Sequence, residues 1–215
     1  MIKTSSYKNF KSNLFKTFSI SGDRGKKVGY KGKCYPELAP KLSFWRKWHE
    51  NIGVVSEEEN NKFYIEEYYK QVLSKLNPEK IYNDLNNSIL LCYEESNEFC
   101  HRHIVAAWLE LFLDEKINEV VVNNGKIVNV ERPEYIKNVL EEVIKNNINM
   151  RGFTSLRGIY LFEKSEYLES KANKLEEETG RSGDAYRQAA CYLRCDADEA
   201  EAEYKLKNKR TNIKK

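Results

Sequence analysis

Apolar residues are densest between positions 88 and 113. Ile89, Leu90 and Leu91 form a short run after polar Asn86, Asn87 and Ser88. Such a run, followed closely by a helix, reads as an interior strand of a mostly parallel sheet. Ile104, Val105, Trp108, Leu109, Leu111 and Phe112, with two alanines between, then predict a helix apolar on most faces and therefore buried. Ser96 or Asn97 is the expected cap.

The remaining pattern sorts around this unit. Residues 2–6 and 17–21 read as strands, and residues 8–14 as a short helix or loop. Leu42, Phe44, Trp45 and Trp48 have helical spacing; core packing is favoured over a base-stacking role. Residues 54–61 are polar and read as a loop, with Asn60 or Asn61 capping an amphipathic helix over 62–76. Pro78 starts a short helix ending near Leu85. Residues 118–122 and 126–130 are predicted strands joined by Asn123, Asn124 and Gly125, a strong hairpin signal. A helix follows from Pro133 to about Lys145.

The polar run 146–149 marks the best boundary. Residues 1–147 read as an α/β domain and 148–204 as a helical hairpin extension broken at 180–183. Residues 205–215 read as a basic, frayed tail. The apolar faces of the hairpin are thin for a separate domain. They are expected to pack on the main domain or on a second copy, so a homodimer through residues 150–204 is one expectation, with Arg181, Arg187 or Arg194 reaching a neighbour's pocket.

Two blocks carry a family resemblance. Leu90, Leu91, Cys92, Tyr93 and Glu94 form the first; Phe99, Cys100, His101, Arg102 and His103 form the second, backed by residues 105–109. Thr4 to Tyr7 and Leu38, Ala39 and Pro40 fit the same pattern. Over residues 2–145 the chain resembles the domain-of-unknown-function family 488. The resemblance implies a compact Rossmann-like α/β domain. It implies no reaction.

Composition narrows the class. The chain has 215 residues, 40% hydrophobic and 32% charged. Its mean hydropathy is -0.73. No apolar run approaches the roughly 20 residues of a membrane helix, and the first residues lack a signal-peptide apolar region. A cytoplasmic protein away from membranes is the expectation. The net charge of +3 is too small to argue for nucleic acid. Five cysteines without framework spacing favour free thiols.

Chemistry collects at one place. Two of five cysteines and two of three histidines lie within residues 92–103. Open α/β sheets bind ligands beyond the strand carboxyl ends. Arg102 near a helix start suits a phosphate. The glycine- and lysine-rich loop 22–32 offers backbone amides to the same anion, but lacks the ending of a P-loop. Ser5, Tyr7, Ser21, Arg24, Cys92, His101 and Arg102 are the expected ligand-binding residues. Cys100 is the candidate nucleophile, its thiol acidified by the helix start and Arg102, with a buried spacer as the plain alternative. Glu94 is the candidate proton acceptor or partner of Arg102. No metal set is assigned. The spacing fits no zinc knuckle, and helical residues 100 and 101 would point about 100° apart. No cofactor is assigned either. The leading expectation is a phosphate-bearing, nucleotide-like small ligand, held or sequestered. The alternatives are an enzyme using Cys100 or Glu94 on a nucleotide or nucleic acid, and an interaction module built from the C-terminal helices.

Overall fold

A computed structural model describes residues 1–11 and 15–213. The chain divides into two compact units, Met1–Asn147 and Ile148–Lys215. The first is an α/β unit on a six-stranded sheet. Its strands are β1 (Lys3–Ser6), β2 (Lys16–Ser19), β3 (Lys33–Cys34), β4 (Ser88–Cys92), β5 (Asn118–Asn123) and β6 (Lys126–Val130). Their order is β3-β2-β4-β1-β5-β6. Every neighbouring pair is parallel except the β5–β6 hairpin. At its turn Asn124 and Gly125 have φ of 48° and 75°, the consecutive positive values that suit a strand-twisted turn. The two-residue strand β3 was not expected from the sequence.

β4 lies between β2 and β1, and all five of its residues are buried. Its side chains alternate between faces. Ile89 and Leu91 pack with Tyr7, Phe10 and Val120. Leu90 and Cys92 point the other way. After β4 comes α4 (His101–Leu113), whose residues from His101 to Leu109 are all buried. A fully buried large apolar side chain contributes about 1.5–3 kcal/mol, so Ile104, Val105, Trp108 and Leu109 anchor this helix beneath the sheet.

The other helices of this unit are α1 (Leu42–Glu50), α2 (Glu57–Gln71), α3 (Pro78–Asp84) and α5 (Tyr135–Asn147). Two expectations about α2 need correction. It starts at Glu57, inside the segment read as a loop, and neither Asn60 nor Asn61 caps it. Ser56 does: its hydroxyl accepts from the Glu59 amide, and the Glu59 carboxylate accepts from the Ser56 amide. The acidic run 57–59 suits the positive end of the helix. Ser96 and Asn97 likewise do not cap α4; Cys100 occupies that position.

The second unit is a helical hairpin, α6 (Leu156–Thr179) and α7 (Asp184–Ile213). Gly180 ends α6 at φ 68°. Leu161, Ala197 and Ala200 are buried between the helices, with Phe153 and Leu193 against them. α7 continues through 205–213, where a frayed tail was expected. Arg187 pairs with Glu176 at 2.6 Å and Arg194 with Glu169 at 2.6 Å, so these two arginines are engaged within the hairpin itself. Residues 12–14 of the helix-or-loop reading, and 214–215 of the tail, lie outside the described residues. Among the described residues no helix is long and apolar enough to cross a membrane.

Candidate active site at the carboxyl end of the central strand

β4 ends at Cys92, and the chain turns through residues 93–99 before α4 begins. This brings four reactive side chains together. Cys92 Sγ lies 3.3 Å from Glu94 Oε2 and 3.6 Å from His101 Nδ1. Cys100 Sγ lies 4.0 Å from the same nitrogen. His101 Nε2 meets the carbonyl oxygen of Ile20 at 2.9 Å. A carbonyl only accepts, so Nε2 carries a proton and donates, and Nδ1 faces the sulfurs. Cys92, Cys100 and His101 are all buried.

Cys100 is not helical. Its φ of -153° and ψ of 144° are extended. The objection that residues 100 and 101 must diverge as helix neighbours therefore fails, and both converge on Cys92. Electrostatics couple the group. Burial pushes the Cys92 thiol up, and the Cys100 sulfur beside it adds to the rise. Burial also opposes a Cys100 thiolate, but the hydrogen bond from Cys92 and the charges of Arg102 and His101 outweigh it and hold Cys100 below the ordinary thiol range. Burial, reinforced by Cys100, pushes Glu94 up to about 7.

Arg102 departs from expectation. It is fully buried and faces Glu119 on β5, not a ligand and not Glu94. Its Nε and Nη2 donate to Glu119, with Nη2 at 3.0 Å from Oε1, and Nη2 also donates to the Glu95 carbonyl at 2.9 Å. Glu119 also accepts from Thr4 Oγ1 at 2.6 Å and Ser96 Oγ at 3.1 Å, and lies 3.5 Å from His103 Nε2. One carboxylate thereby ties β1, the β4–α4 turn and α4 to β5. Burial works against its charge, but the nearby His103 ring, the hydrogen bonds from Arg102 and the guanidinium charge bring it down to about 2. The sequence signal was available: a glutamate stands directly before the apolar run 120–122 of a strand that should be buried.

Loop 22–32 also differs from expectation. Asp23 fills the place of an anion. Its carboxylate accepts from the amides of Gly25 and Lys27 and from Tyr93 Oη at 2.6 Å. Tyr7 Oη bonds Ser19 Oγ at 2.6 Å and Ser21 Oγ at 2.9 Å, closing a hydroxyl network across the ends of β1, β2 and β4. Ser5 Oγ donates to the Val120 carbonyl. Arg24 is exposed. Ser5 and Ser21 are therefore structural contacts here, and the loop amides that were to bind an anion are taken.

Two cavities open nearby. One, of about 770 Å³, is walled by Trp48, Phe99, Tyr135, Asn60, Asn61 and Glu94, with Glu57 and Glu98 at its side. Its lining has no lysine or arginine. Cys100 does not line it; Glu94 does. The other, of about 980 Å³, is lined by Tyr7, Tyr30 and Tyr93 with Lys8, Lys11 and Lys31.

Residues 5–112 match the family model described as DUF488-N3a, active DUF488-N3 subclade. The chain belongs to the DUF488 family. The match takes in Cys92, Glu94, Cys100, His101 and Arg102, and ends before Glu119. No curated protein and no solved structure matches the chain.

Proposed function

We propose that this DUF488 protein binds a nucleotide-like small molecule, with the planar part of the ligand entering the cavity walled by Trp48, Phe99 and Tyr135. The observation that supports this reading most is the position of Glu94. Its carboxylate lines the cavity and also stands against the buried thiol pair. Aromatic walls suit a flat heterocycle. Three carboxylates and the absence of a lysine or arginine in that lining select N–H donors and leave phosphate without a partner, so the phosphate of the ligand stays outside this cavity. Asn60 Oδ1, buried and without a hydrogen-bond partner, adds an acceptor in the same wall.

A charge-assisted hydrogen bond contributes about 1.5–3 kcal/mol. Glu94→Gln should therefore weaken binding of the preferred nucleoside about ten- to a hundredfold while the melting temperature of the free protein changes little. Unchanged affinity would remove Glu94 from the site.

A second reading, turnover of that ligand, is favoured by the contact of Glu94 with Cys92 and by the word active in the family model's description. Product formation that disappears in Glu94→Gln, beyond what weaker binding explains at saturating substrate, is its expected signature.

A further inference from the structure

We propose that Cys92, Cys100 and His101 form a binding site for a thiolate-seeking divalent metal ion of the zinc class. The inference stands on the geometry of the cluster and does not require the ligand reading above.

The donor atoms are already placed. Cys92 Sγ, Cys100 Sγ and one ring nitrogen of His101 all lie within 4.8 Å of one another. The sulfur-to-nitrogen separations are 3.6 and 4.0 Å. A tetrahedral zinc ion with bonds of about 2.3 Å to sulfur and about 2.0–2.1 Å to nitrogen sets its ligand atoms roughly 3.5–3.8 Å apart. The two sulfur-to-nitrogen separations are within about half an ångström of that spacing, and the two sulfurs are within 4.8 Å of each other. The softness of two sulfurs and an imidazole excludes magnesium and calcium and suits zinc.

The histidine is prepared for this role. Its Nε2 donates to the Ile20 carbonyl, which fixes the ring orientation with Nδ1 toward the sulfurs. A backbone carbonyl behind the distal nitrogen is the usual outer support of a metal-bound histidine. The site is rigid. Cys92 ends the central strand, while Cys100 and His101 begin the buried helix.

Binding would balance in the ordinary way: the thiols lose their protons to solvent and the ion's charge replaces them. Both sulfurs then become ligands. Cys100 ceases to be a free nucleophile, and Glu94 remains the group that meets the cavity.

The competing thiols are Cys34, Cys191 and Cys195. Cys191 and Cys195 are exposed and four residues apart on α7, so they face one side of that helix and offer their own metal pair. The test must separate these. Untagged full-length protein, purified under reducing conditions without chelator, is assayed for metal content by plasma mass spectrometry. Chelator-treated protein is then titrated with Co(II). The proposal expects about one zinc-class ion per chain, and a sulfur-to-cobalt charge-transfer band with the strong visible absorption of a tetrahedral site. Cys92→Ser and Cys100→Ser should each abolish the band, whereas the Cys191→Ser, Cys195→Ser double variant should retain it. Circular dichroism on every variant guards against loss of the fold. The unmodified protein gives an answer of its own if the serine variants unfold. A reduced, folded wild-type protein with no cobalt–thiolate band overturns the proposal. So does a band lost only in the α7 double variant, or a Cys92–Cys100 disulfide in place of metal in protein purified from the reducing cell interior. Failure of nucleoside binding with the cobalt band intact would sink the ligand reading and leave the metal site standing.

Discussion

Glu119→Ala should destabilise the first unit by about 3–5 kcal/mol, the usual consequence of leaving a buried charge without its partner. Glu119 and Arg102 are both fully buried in their side chains. Removing the carboxylate strands the guanidinium, and also the hydroxyls of Thr4 and Ser96. The damage reaches the site because Arg102 holds the Glu95 carbonyl and so shapes the turn that presents Glu94. The pH dependence has a definite sign. The folded pKa of Glu119, about 2, is below the ordinary glutamate value of about 4.3. Its stabilisation is therefore complete above that ordinary value and is lost as pH falls from about 4.3 toward 2. Urea unfolding at several pH values, followed by a probe confined to the first unit, checks both statements. A Glu119→Ala protein as stable as the parent would show that the ion pair is compensated elsewhere.

Glu201→Ala should open the helical hairpin, at a cost of about 2–3 kcal/mol to the second unit. Glu201 on α7 accepts from the amides of Thr154 and Ser155, at 2.8–3.0 Å, and from the Thr154 hydroxyl. These amides precede α6 and have their donors directed at one carboxylate. Burial opposes the charge of Glu201, but hydrogen bonds from Thr154 and Ser155 bring it down to about 2. Its contribution, like that of Glu119, is present above the ordinary carboxylate range and lost in acid. Two compact units make a single unfolding free energy ill-defined. Amide hydrogen exchange across α6 and α7 is the suitable measurement. Protection should fall in these helices and hold in β4 and α4; unchanged protection in α6 would mean the clamp is dispensable.

The parts of this fold legible in the sequence are those set by local rules. The apolar run of β4, the all-round apolar α4, the Asn124–Gly125 turn and Pro78 at a helix start each follow from neighbouring residues. The start of α2 was equally local, yet its acidic first turn resembled a loop; Ser56 followed three residues later by Glu59 was the signal that resolved it. The site was legible as a place and not as an arrangement. Cys92, Glu94, Cys100 and His101 were expected together because they flank one turn. That Cys100 is extended rather than helical depends on how the turn closes, which no local pattern states. The partner of Arg102 is seventeen positions away on strand β5, brought beside α4 by sheet order. The closing of loop 22–32 was hidden for a similar reason: Asp23, within the loop, accepts from the amides of Gly25 and Lys27 that were expected to face an anion.

Calorimetric titration of the reduced full-length protein with matched nucleobases, nucleosides and nucleotides tests the central claim most directly. The account predicts that a nucleoside binds about as tightly as its nucleotide, because the cavity beside Glu94 receives the planar part and has no cation for phosphate. It also predicts that Glu94→Gln, and not Lys31→Glu, weakens that binding by about tenfold or more. Binding that requires phosphate and is lost in Lys31→Glu would contradict it and move the ligand to the lysine-lined cavity by Tyr7. Absence of binding by any member of the series would contradict the nucleotide-like ligand altogether.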